Sequence, residues 1–132
     1  MTKRAKLNWW DDLTFLRRRL ATCNSQGRKY GFRPIKLDVL LQWEGLCVKD
    51  CYWCHRPLVK PRISFDHFIP LSYKDKLSGH NVDNLVVTCR SCNFHRGATP
   101  AQHWRDFIEM LIQKGWLIWF KQSFRRSKWR RS

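Results

Sequence analysis

Two Cys-x-x-Cys pairs, Cys51–Cys54 and Cys89–Cys92, constrain this chain more than any other feature. A tight turn between paired cysteines lets both sulfurs reach one ion, and four thiolates complete a closed tetrahedral zinc shell. The intervening chain must fold back to bring in the second pair. His55, next to Cys54, could substitute as a ligand, but the four cysteines already fill the shell. Cys47, four residues before Cys51, and Cys23 lack a paired spacing and read as buried free thiols. Six cysteines in 132 residues could also suggest a secreted disulfide framework. The paired spacing favours metal, and the first eight residues, Met-Thr-Lys-Arg-Ala-Lys-Leu-Asn, hold no apolar core of signal-peptide length. The expectation is an intracellular protein, in cytoplasm or nucleoid, with its thiolates on zinc.

Between the pairs, residues Ile63 to Pro70 (Ile-Ser-Phe-Asp-His-Phe-Ile-Pro) have strand composition, β-branched and aromatic and closed by proline. Asp66 and His67 are neighbours, so on a strand they point to opposite faces. One can bind a metal while the other's imidazole reaches a water, or one can face the core. Leu71 to Asp83 is a polar connection containing Gly79-His80-Asn81, and Val82 to Thr88 is a second apolar strand. Residues 62–88 are therefore expected to form a β-hairpin, followed by a short helix from Ser91 to Gly97.

The flanks are basic. Lys and Arg number 26 against 10 acids, a formal net charge of +16 that calls for a densely anionic partner, nucleic acid before an anionic membrane surface. Eight Trp among 14% aromatic residues exclude a disordered chain, and the longest apolar run, Trp116 to Phe120, is far too short to span a bilayer. At the N-terminal end Asn8 can cap a helix with Asp11 and Asp12 in its first turn, and Trp10, Leu13, Leu16 and Leu20 follow at helical spacing. Arg17, Arg18 and Arg19 then form either a solvated basic end or a phosphate contact. Asn24 to Gly27 reads as a turn, and Arg28 to Arg33 as a basic loop interleaved with aromatics that can follow a phosphate backbone. Leu37, Leu40, Leu41 and Trp43 predict a second helix ending at Gly45. Beyond the last cysteine, Thr99 and Pro100 start a helix with Trp104, Phe107, Ile108, Leu111 and Ile112 on one face, closed by Gly115. Trp116 to Phe120 is a short strand or the anchor of a further helix. The remainder, from Lys121 and with Arg125, Arg126, Arg130 and Arg131, is either a solvated tail or, the favoured reading, an arm that grips DNA.

Taken in order, Asp66-His67-Phe-Ile-Pro-Leu71, Asn84-Leu85, Cys89-x-x-Cys92-Asn93 and Arg96-Gly97 resemble the HNH endonucleases that carry a structural zinc. The resemblance covers residues 43–98, including the helix end at Trp43-Glu44 and Arg56-Pro57-Leu58. It implies an α+β fold: a ββα-metal core (47–98) with a four-cysteine zinc site, flanked by an N-terminal helical segment (1–46) and a C-terminal helix and basic tail (99–132), all one domain. It further implies hydrolysis of DNA phosphodiesters with His67 as general base and Asp66 and Asn93 on one divalent cation, Mg2+ or Mn2+. Asn84 would brace the hairpin and orient His67, and Arg96 would grip a flanking phosphate. Asn93 stands where the motif's last histidine would be. His95, two residues on, is a third ligand, a bystander or, the favoured reading, a phosphate contact.

The expected function is thus a metal-dependent DNA endonuclease or nickase acting on double-stranded DNA, alone or inside a larger nucleoprotein complex, of homing, phage-processing, restriction or toxin type. The alternative is a nonenzymatic zinc-knuckle protein that binds nucleic acid through its basic surface.

Overall fold

In the computed structural model, residues 8–73 and 79–122 are described. The fold is α+β, built on one antiparallel hairpin of β1 (Ile63–His67) and β2 (Leu85–Cys89), paired from Ile63 opposite Cys89 to His67 opposite Leu85. Both faces of this hairpin are covered. Ile63, Phe65, Leu85 and Val87 point into a core with Leu16, Leu20, Ile35, Leu40 and Leu46, supplied by helix α1 (Leu13–Lys29), α2 (Leu37–Gln42) and the segments around them. The opposite face, which carries Ser64, Asp66 and Val86, meets α3 (Arg90–Arg96) and a second core where Cys51, Trp53, Cys54 and Cys92 pack with Trp104, Ile108 and Leu111 of α4 (Ala101–Gln113). Alternation along each strand therefore sends one residue set to α1 and the other to the cysteine cluster.

Helix α1 begins where Asp12 accepts a hydrogen bond from the Phe15 N–H at 3.0 Å, one residue past a short 3-10 turn at Trp9–Asp11. It does not stop at Asn24. The expected turn at Asn24–Gly27 is a continuation of the helix, because the residues that break the helical pattern are spent on tertiary contacts. Asn24 turns its amide on the Ile35 backbone, accepting from N–H at 2.8 Å and donating to C=O at 3.0 Å. Gly27 is buried with no room for a side chain: a Cβ there would lie 2.5 Å from the His80 ring.

Two smaller expectations also change, and one that was left open is settled. Cys47 is exposed rather than buried, whereas Cys23 is buried against the core as expected. Pro100, not Thr99, occupies the N-cap of α4; Thr99 is held back by Arg96, whose C=O accepts from the Thr99 N–H and whose Nε donates to the Thr99 C=O. After Gly115 the chain turns into helix over residues 117–122, which settles Trp116 to Phe120 as the lead into a helix. Arg125, Arg126, Arg130 and Arg131 lie outside the described residues. No described helix is long and apolar enough to cross a membrane.

Candidate active site and zinc centre

The first cysteine pair sits on a tight reversal. Asp50 bridges to Pro57, the Cys51 N–H donates to Arg56 C=O at 2.8 Å, and the His55 N–H returns to Cys51 C=O at 2.9 Å with His55 at φ +62°. Cys89 ends β2 and caps α3, its sulfur accepting the Cys92 N–H at 3.4 Å. All four sulfurs lie within 4.8 Å of one another, and Cys54 and Cys89 are 4.0 Å apart. Sulfurs bound tetrahedrally to zinc stand about 3.8 Å apart, so the cluster fits the ion. A further donor was not anticipated. Lys121 Nζ lies 3.0 Å from Cys54 Sγ and 2.9 Å from Cys89 Sγ, placing a cation beside what would be a doubly negative tetrathiolate centre.

From this knuckle Trp53 reaches the strand. Its indole N–H donates to Asp66 Oδ2 at 2.8 Å, and its ring stacks on Phe68. The same Oδ2 accepts from Arg96 Nη1 at 3.0 Å. Burial pushes the Asp66 carboxyl up, against the pull of the Arg96 guanidinium and the Trp53 N–H. Arg96 is 1% exposed and also donates to the C=O groups of His67 (2.7 Å) and Phe68 (2.6 Å). Here the sequence expectation is corrected: Arg96 does not present its guanidinium to a phosphate but lies over the Trp53 ring as the buried counter-ion of Asp66. A buried carboxylate needs such a partner. Since lysine cannot reproduce the fork, Arg96→Lys should destabilise the protein by on the order of 2 kcal/mol, the worth of one charged hydrogen bond, as read by urea unfolding.

Asn93, one helical turn before Arg96, donates through Nδ2 to Ser64 Oγ at 2.6 Å. Ser64 and Asp66 share a strand face, so α3 lays Asn93 and Arg96 along that face. Asn84 braces the long connection. Its amide oxygen accepts the Ile69 N–H and its NH2 donates to the C=O groups of Ile69 and Gly79, while its own C=O accepts the Phe68 N–H.

His67, on the other face of β1, contacts His80 through Nε2···Nδ1 at 2.8 Å, and His80 Nε2 lies 2.7 Å from Asn24 Oδ1. Burial, then the neighbouring His80 and Arg96, bring the His67 imidazole down to about 4, and burial lowers His80 as well. The sequence reading left His80 in a polar connection and Asn24 in a turn; a buried histidine beside Asn81 carries no local pattern that would reveal it. His95 packs on Phe120, ring centroids 4.3 Å apart, away from the residues that line the cleft.

Asp66, His67 and Asn93 line one open cleft of about 410 Å3. Thr22, Cys23, Gln26 and Tyr30 of α1 and its C-cap contribute to its lining, with Ser64 and residues 70–72 and 97–98. A carboxylate, an amide and a neutral imidazole thus share one solvent-accessible space. No curated protein matches the chain. Residues 51–99, which hold both cysteine pairs, the hairpin and α3, match the family model for HNH endonuclease.

Proposed function

We propose that the chain is a metal-dependent DNA endonuclease or nickase that hydrolyses phosphodiester bonds in the cleft between α1, β1 and α3. One observation carries the reading: Asp66, His67 and Asn93 line a single open cleft inside the segment that matches the HNH model. His67 is the general base. A neutral imidazole has a lone pair available at pH 7, and an incoming phosphodiester, being anionic, raises its affinity for the proton it takes from water.

Asp66 spends Oδ2 on Trp53 and Arg96, and Asn93 spends its NH2 on Ser64. The oxygens left for a divalent cation are Asp66 Oδ1 and Asn93 Oδ1. Two hard oxygens suit Mg2+ or Mn2+, which fills its remaining positions with water and phosphate. When bound, such an ion supplies charge stabilisation to the scissile phosphate and the departing 3′-oxygen. The chain itself fixes the oxygens, through Arg96 and Ser64, and holds the loop after His67 through Asn84.

The net charge of +16 supports a DNA partner. Exposed Lys29 stands one helical turn after Gln26, which lines the cleft, so positive charge adjoins that edge of the cleft. Duplex DNA laid along that edge meets positive charge before it meets His67.

The test is incubation of supercoiled plasmid with purified protein, with Mg2+ or Mn2+ and with EDTA. Nicked circles identify a nickase and linear product a double-strand cutter, both requiring the added ion. Retarded but intact plasmid under every metal, with binding that weakens as salt rises, would establish the zinc-knuckle binder instead.

A further inference from the structure

We infer that Asn24 and His80 fix the tautomer of His67, keeping its proton on Nε2 and leaving Nδ1 as the nitrogen that takes a proton from water. The inference rests on the reading of His67 as general base, but the tautomer itself follows from hydrogen-bond chemistry once both rings are neutral. Asn24 cannot be reversed end for end: the Ile35 N–H at 2.8 Å needs its oxygen, and the Ile35 C=O at 3.0 Å needs its NH2. The atom 2.7 Å from His80 Nε2 is therefore a carbonyl oxygen, which only accepts. His80 Nε2 must carry the hydrogen.

A neutral imidazole has one N–H, so His80 Nδ1 holds a lone pair. Its 2.8 Å contact with His67 Nε2 then requires the hydrogen to come from His67. That leaves the lone pair of neutral His67 on Nδ1. A partner that binds one ring nitrogen of a working imidazole decides which nitrogen stays free.

The surroundings support neutral rings. The Arg96 guanidinium bonds the His67 C=O, so a second proton on the ring would sit beside a fixed positive charge. The Cys23 thiol, within 4.8 Å of a nitrogen of each imidazole, is pushed up to about 12 by burial and then by the Asp66 charge, so it offers no anion to draw a proton onto the pair. Asp66 is committed to Arg96 and Trp53. Gly27 makes the arrangement possible. It stands one turn after Asn24 on α1, and the His80 ring occupies the space a side chain would need, with Cδ2 and Cγ at 2.5 and 2.6 Å from the missing Cβ.

The decisive measurement is 15N–1H correlation NMR of the zinc-loaded full chain labelled at histidine, at neutral pH. Both His67 and His80 are expected to give protonated, pyrrole-type Nε2 and unprotonated, pyridine-type Nδ1 signals. A protonated Nδ1 on His67 overturns the inference. Gly27→Ala supplies the kinetic arm, since alanine suits a helix better than glycine and lines no part of the cleft. Displacing the His80 ring should lower kcat on plasmid by about 10- to 100-fold with KM unchanged, and mix the His67 tautomers. An unchanged kcat in folded, zinc-loaded Gly27→Ala also overturns it. If wild type cuts no DNA at all, the nuclease reading fails while the wild-type spectrum still decides the tautomer.

Discussion

His67→Ala is expected to slow plasmid cleavage by about 10²- to 10⁴-fold, the usual worth of a positioned general base, while zinc content and secondary structure stay as in wild type. The separation of activity from fold follows from how His67 is held. It is the last residue of β1, and what anchors it there is main chain: pairing with Leu85 and a C=O bonded to Arg96. Alanine keeps all of this. What it removes is the imidazole, and with it one hydrogen bond to His80. An orphaned buried partner costs about 1–3 kcal/mol, less than the roughly 5–15 kcal/mol that hold a domain of this size together. Single-turnover cleavage with Mg2+, beside circular dichroism and zinc analysis of the same preparation, makes the comparison. Wild-type rates from His67→Ala at equal purity would remove His67 from the chemistry.

Much of this site was legible in the sequence because it is local. Cys-x-x-Cys turns, the Asp66-His67 dipeptide on a strand and the run from Cys89 to Gly97 each place their residues by short-range geometry, and the hairpin, α3 and the cysteine cluster follow the spacing closely. The readings that failed involve residues whose roles are set across the fold. Asn24 and Gly27 looked like a turn since amide and glycine weaken a helix; they interrupt the pattern because the first clasps Ile35 and the second admits His80. Arg96 was expected on a phosphate because the resemblance implied it; only the fold reveals that the Asp66 carboxylate lies 3.0 Å from its guanidinium. Lys121, in a stretch read as a DNA arm, faces two zinc-site sulfurs. Local inconsistency in a sequence thus marked the two α1 residues that clasp Ile35 and make room for His80.

Stripping zinc is expected to have the largest effect of any perturbation: loss of the cooperative melting transition and of cleavage together. The four cysteines are the centre of the second core, where three of them are buried with Trp53, Trp104, Ile108 and Leu111. Structural zinc supplies about 10–16 kcal/mol of apparent binding energy in small zinc modules, comparable to or above the whole stability of a domain this size. Three connections carry the loss to the cleft. Trp53, between the first pair, holds Asp66; Cys89 ends the strand that pairs with β1; and Cys92 precedes Asn93 on α3. In the proposed reading two metals take different ligands, so the two can be removed and returned separately. After chelation and removal of the chelator, Mg2+ alone should restore neither the transition nor cleavage, whereas Zn2+ should restore the transition and Zn2+ with Mg2+ both. Cys92→Ser should behave as the stripped protein does and resist rescue. Zinc-free protein that melted as wild type and cut DNA with Mg2+ alone would show zinc to be dispensable, and packing without the ion would then have to hold Asp66, His67 and Asn93 in place.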